Sequence, residues 1–110
     1  MRRDVFQAIA DPNRRAILAL LATRKLTLNG VAAKFDISRP AVSRHVRILA
    51  ECGLVRFEKE GRHRYCEARL GRLKPVSTWV EQYRMFWESK LVALEEHIEK
   101  TNSHGERKKP

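Results

Sequence analysis

The spacing of apolar residues along this chain changes repeatedly, and each change marks a new element. Val5, Phe6, Ile9 and Ala10 make a short stripe at helical spacing. Asp11-Pro12 then reads as a helix N-cap followed by proline in the first turn. Ile17, Leu18, Leu20 and Leu21 carry that second helix to about Leu21, where T-R-K breaks it. Thr27 is the next N-cap candidate, and Leu28, Val31, Ala32 and Phe35 mark the inner side of a short third helix. Gly30 stands where a capping box would want Glu or Gln. The turn F-D-I-S follows, with Asp36 able to accept a left-handed backbone. Ser38 then caps a helix that Gly53 ends. Beyond Gly53 the period drops to two. Val55 and Phe57 alternate with Arg56 and Glu58, Glu60-Gly61 signals a turn, and Tyr65 resumes the alternation. This predicts a β-hairpin over 55–67. From Leu73, with Pro75 in the first turn, Val76, Val80, Tyr83, Trp87, Leu91, Leu94 and Ile98 follow in steps of three and four, close to a heptad. Trp79 and Phe86 add a second apolar edge. Such a helix is about 39 Å long at ~1.5 Å per residue. That length suits a partner-facing helix, although packing within one chain would use the same stripe.

Two short helices, the second basic, followed by a hairpin predict a mainly α fold with a β-hairpin wing: a winged helix-turn-helix with a long C-terminal helix. The helix after Ser38 divides cleanly by angle. At about 100° per residue, Ser43, Arg47, Pro40 and Arg44 lie within about 140° of Arg39. Ile48, Ala41, Cys52, His45, Leu49, Val42 and Val46 fill the other arc. One arc docks on the body. The other offers three guanidiniums and a hydroxyl beside a helix N-terminus.

Charge turns that face into a candidate site. The chain of 110 residues carries a formal net charge of +10. Residues 1–50 hold ten Lys/Arg against three Asp/Glu, and residues 77–110 hold six of each. The excess therefore belongs to the part expected to fold, which favours a polyanion over mere solubility. Arginine can fork onto guanine in the major groove, and Arg and Ser can bind phosphate. Double-stranded DNA is the expected partner. Ser38, Arg39, Pro40, Ser43, Arg44, His45 and Arg47 form the expected recognition-helix contacts, with Arg39, Ser43, Arg44 and Arg47 entering or flanking the major groove. Arg62, His63 and Arg64 would reach DNA from the wing, and Thr27 would touch the backbone. His45 falls at about 240°, inside the apolar arc. It is either a packed histidine or a phosphate contact from the arc's edge.

Other chemistry is thin. No nucleophile–base pair, Gly-rich phosphate loop or apolar carboxylate pair is present, so no catalytic residues and no cofactor are expected, and an enzyme is disfavoured. Cys52 and Cys66 have no CxxC spacing and no nearby histidine, so two reduced thiols are expected rather than a metal site. No run of eighteen apolar residues suits a membrane span, and M-R-R-D-V-F does not read as a signal segment. A cytoplasmic location is expected. Residues 1–100 should form one DNA-binding and dimerisation domain, and 101–110 a disordered basic tail.

A-D-P-N-R-R-A-I-L-A-L-L, I-S-R-P-A-V-S-R-H-V-R-I-L-A-E-C-G-L-V and E-G-R-H-R-Y together resemble the ArsR family of winged-helix repressors, over about residues 4–98. The resemblance implies a homodimer, an inverted-repeat operator and repression released by an effector. It also implies a dimer interface made by the first and last helices. Here that means Val5, Phe6 and Ile9 with Val76, Trp79, Val80, Tyr83, Trp87, Leu91 and Leu94. Metal-sensing members carry a cysteine pair before the recognition helix, or Asp and His in the last helix. This chain has L-T-L-N-G-V-A-A-K-F-D in the first place and only His97 in the second. It looks more like the metal-independent, autorepressor-type branch, and the effector or protein partner is left unnamed. The rival from residues alone is an architectural protein that coats DNA with little sequence choice.

Overall fold

A computed structural model describes residues 4–107, with side chains through residue 102. The elements run α1 (Val5–Ala8), α2 (Pro12–Thr23), β1 (Leu26–Thr27), α3 (Leu28–Ala32), α4 (Arg39–Glu51), β2 (Val55–Glu60), β3 (His63–Ala68), a 3-10 turn (Leu70–Leu73) and α5 (Lys74–Arg107). They divide into two compact units at Val76 and Ser77.

Local chemistry sets the helix ends of the first unit. Asp4 and Gln7 form a capping box on α1, each side chain bonding the other residue's backbone N–H at 2.9 Å. Asp11 accepts from the amides of Asn13 and Arg14 at 2.8 and 3.1 Å, and Pro12 fills the position that needs no donor. Ser38 Oγ accepts from the Ala41 amide at 3.2 Å. The far end of α4 closes with a Schellman pair: Gly53 N–H donates to Ala50 O at 3.0 Å, and Leu54 N–H to Leu49 O at 2.9 Å. This closure needs Gly53 at φ 79°. It also brings Leu54 back onto Leu49, and both are fully buried.

The core gathers one face from each element. Ile17, Leu18 and Leu21 of α2, Val31 of α3, Val42, Val46, Ile48 and Leu49 of α4, and Leu54, Val55 and Cys66 meet in one cluster. Each fully buried branched side chain contributes about 1.5–3 kcal/mol by leaving water. Thus α2, α3 and α4 form a helical body, and the sheet closes one side of it.

That sheet has three antiparallel strands in the order β1-β3-β2. The hairpin keeps a single register from Val55↔Ala68 to Glu60↔His63, which leaves Gly61-Arg62 as a two-residue turn. Gly61 has φ 59°, and no described non-glycine residue has positive φ. Glycine first and a right-handed residue second is the φ pattern of a II′ turn. Strand β1 was not foreseen. It pairs Leu26 with Cys66 and Thr27 with Tyr65, which ties the start of α3 to the wing.

Smaller expectations change too. Asp36 does not use the left-handed region. The chain enters α5 through the 3-10 turn. Helix α5 runs to Arg107, into the segment expected to be a disordered tail, and residues 108–110 lie outside the described ones. Its 34 residues make about 51 Å at ~1.5 Å each.

The second unit is almost entirely this helix. Tyr83, Phe86, Trp87, Leu91, Leu94 and Ile98 are all about half exposed. Trp79 tilts against Tyr83 at 5.3 Å between ring centres, and Phe86 meets Trp87 edge-on at 5.9 Å. Arg84 lies 3.2 Å from Glu81 on the polar side. No described helix is long and apolar enough to cross a membrane.

Candidate nucleic-acid interface

Helix α4 realises the angular division drawn from its sequence. Val42, Val46 and Leu49 are fully buried, Ile48 is nearly so, and Arg39, Pro40, Arg44 and Arg47 are exposed. Ser43 is half-buried at the edge. Ser38 is exposed, with one lone pair committed to the cap. None of Arg44, Arg47 and Arg62 meets a carboxylate among the described residues.

His45 stays on the inner side, as its angle indicated. Its ring is half-buried and its Nδ1 has no hydrogen-bond partner. It lies near Asp11. Partial burial pushes the Asp11 carboxyl up, but the Arg14 and Asn13 amides and the charges of His45 and Arg14 outweigh this and hold it below its usual value. His45 does not project with the arginines.

The wing residues divide between two faces and the tip. Arg62 sits in the exposed turn. His63 is exposed and stands edge-on to Tyr65 at 6.2 Å between ring centres. Arg64 lies over the Phe57 ring, 3.9 Å from the guanidinium carbon to the ring centre. On the opposite face Lys25 binds Glu60 and lies 3.7 Å from Glu58, and Arg56 lies 3.8 Å from both Glu58 and Glu67. Lys25 is held above its usual pKa, chiefly by the Glu60 carboxylate.

Between α3, α4 and the wing lies a cleft of about 230 Å³ lined by Thr27, Leu28, Asn29, Arg39, Phe57, Arg62, His63 and Arg64. It gathers the expected backbone contact Thr27, the three expected wing residues and the first arginine of α4. Thr27 Oγ1 accepts from the Gly30 amide at 3.0 Å, so its hydroxyl proton stays available. Arg39 Nε donates to Asn29 Oδ1 at 2.9 Å. Asn29 and Phe57 were not among the expected site residues. Phe57 had appeared only as an alternating apolar position, and nothing local in the sequence marks Asn29.

The expected interface residues fall in different settings. Val5 and Ile9 are partly buried and pack on the core of the first unit, while Phe6 is 38% exposed. Val76 is half-buried, and Trp79, Val80, Tyr83, Trp87, Leu91 and Leu94 are exposed along α5. Neither cysteine is in a disulfide. Cys52 Sγ donates to the Asp4 carbonyl at 3.4 Å, and burial raises the pKa of Cys66 against the opposing charges of Arg64 and Arg39. Among the described residues, no three His, Cys, Asp or Glu side chains converge as a metal centre requires.

Comparisons with known proteins agree with this architecture. Residues 11–56 match the family described as bacterial regulatory protein, arsR family. The transcriptional repressor SdpR of Bacillus subtilis (strain 168) is 34% identical over 77 residues, covering 70% of this chain and 86% of SdpR. An ArsR-like transcriptional regulator from Rhodococcus sp. RHA1 superposes with a TM-score of 0.66 at 29% identity, over 84% of this chain and 87% of its own. The homodimeric winged helix-turn-helix DNA-binding domain of Mb0332 from Mycobacterium bovis gives 0.59 at 25% identity, over 73% of this chain and 77% of its own. These are regulators rather than enzymes. The chain belongs to the ArsR family of transcriptional regulators, with a winged helix-turn-helix DNA-binding domain.

Proposed function

We propose that this protein is a homodimeric repressor that binds an inverted-repeat operator, acting in the cytoplasm where the DNA lies. One observation carries the reading: a helix held to the body by four buried apolar side chains presents Arg39, Arg44 and Arg47 outward without an acidic partner among the described residues. Unpaired guanidiniums on a rigid helix cost no broken ion pair when they meet DNA. Ser38, Pro40 and Ser43 complete the face, with His45 supporting it from beneath. Arg62, His63, Arg64 and Thr27 add backbone contacts.

The exposed stripe of α5 supports dimerisation. Tyr83, Trp87, Leu91 and Leu94 repeat at coiled-coil spacing, and a second copy offers the same surface. The naming of SdpR as a repressor and of the Mb0332 domain as homodimeric supports the same reading. Two recognition helices in one dimer then lie about 34 Å apart, one turn of DNA. Residues 1–100 act as one functional domain in this reading.

Selection from random duplexes with the purified full chain tests it. An enriched inverted repeat, with half-sites about 10 bp apart centre to centre, is the expected result. Uniform retention of all sequences would instead favour a protein that coats DNA without choosing.

A further inference from the structure

The two faces of the wing treat their cations differently. On the outer face, Lys25 and Arg56 are each matched by glutamates. In the cleft on the inner face, no carboxylate lines the wall. Two of its three arginines, Arg39 and Arg64, are held by neutral groups instead. Asn29 takes the Arg39 Nε proton at 2.9 Å, and the Phe57 ring supports the flat face of Arg64 at 3.9 Å. Neither contact cancels charge, and each restricts a flexible side chain.

What remains free is informative. A guanidinium has five N–H donors in a fixed plane. Asn29 consumes the Nε donor of Arg39, so a side-on fork through Nε is closed and only the two terminal nitrogens remain. Stacking on Phe57 occupies a face of Arg64 and leaves its edge donors open. Both guanidiniums line the same cleft. Two oriented cations without counter-charge suit a tetrahedral oxyanion, because little side-chain freedom is lost on binding. Arg44 and Arg47 have no such tether among the described residues.

We propose that this cleft is a phosphodiester clamp: Arg39 and Arg64 grip one backbone phosphate of duplex DNA, with Asn29 and Phe57 as their positioning residues. Base selection then falls to Ser43, Arg44 and Arg47. Arg39 moves from the base-reading set, where helix angle alone had put it, to the backbone set. The choice of ligand rests on the regulator reading above.

The test uses the full chain, a random-sequence duplex and the selected duplex, with affinity measured across a salt series. Arg39→Ala and Arg64→Ala should each weaken both duplexes by the same factor and leave the selected sequence unchanged, and the double variant should lower the salt slope by about one, because the two share a phosphate. Asn29→Ala should weaken both duplexes in the wild-type background and have no further effect when Arg39 is already alanine. If Arg39→Ala relaxes one base position, or the double variant keeps the wild-type salt slope, the clamp is wrong. Full additivity of the Asn29 and Arg39 effects overturns the positioning role. Inorganic phosphate should move the Nε–H resonances of Arg39 and Arg64 only at millimolar concentration. Saturation at micromolar phosphate would make the cleft a free-anion site and overturn the duplex assignment. If the wild type selects no sequence, the regulator reading fails while the clamp is still judged on random duplex. Absence of all duplex binding removes both.

Discussion

The two units use the same sequence device to opposite ends. In the first, apolar residues at helical spacing are sealed: Ile17, Val31, Val42, Val46 and Leu49 are 0% exposed. In the second, an equally regular stripe of Tyr83, Trp87, Leu91, Leu94 and Ile98 is 46–60% exposed. A periodic apolar face says that a surface is built to be covered. It does not say whether the cover is the same chain or another. Short elements joined by tight turns can cover one another, and a single helix of 34 residues cannot fold back on itself.

The largest test of this contrast is a pair of substitutions. Leu49→Ala removes a fully buried side chain beneath the recognition helix and should cost about 2–5 kcal/mol, read as a lower urea midpoint. Leu91→Ala on the exposed stripe should leave the unfolding of the first unit nearly unchanged. Equal destabilisation by the two would erase the distinction. Leu91→Glu sharpens it from the other side. A charge in a paired stripe should weaken self-association by about 2 kcal/mol or more, while circular dichroism of the first unit stays the same.

Smaller effects come from the caps. Asp11→Ala should cost about 0.5–2 kcal/mol, because two amides lose their acceptor. The Asp11 carboxyl is held below its ordinary value of 3.8 in the folded chain. Its stabilisation is therefore complete at pH above that value and is lost as pH falls through the lower folded pKa. Melting temperatures of wild type and Asp11→Ala should differ at neutral pH and converge in strong acid. Smallest of all is Lys25→Ala on the outer wing face. Exposed ion pairs are screened by water, so melting temperature and DNA affinity should both stay close to wild type.

The same contrast governs what could be read from sequence. Elements whose signals are local were legible: Ser38 and Gly53 bracket α4, Glu60-Gly61 places the hairpin turn, and the buried and exposed arcs of α4 follow from its period. The Asp4–Gln7 capping box is equally local. Elements that exist only through distant pairing were not legible. Strand β1 is two residues long and is defined by Cys66 and Tyr65, almost forty positions away. The Asn29–Arg39 bond joins side chains on two helices across a turn, and no spacing rule points to it. His45 shows how far a wheel can reach: its angle gives the inner side but not that its Nδ1 is buried without a hydrogen-bond partner. The expected tail shows the opposite limit, since polar composition did not stop α5 at Ile98.

Sedimentation velocity of the full chain at micromolar concentration decides whether a second copy covers the stripe of α5. A dimer gives one boundary at twice the chain mass of 12.8 kDa, which Leu91→Glu shifts toward the monomer. A wild-type boundary at the monomer mass would contradict it.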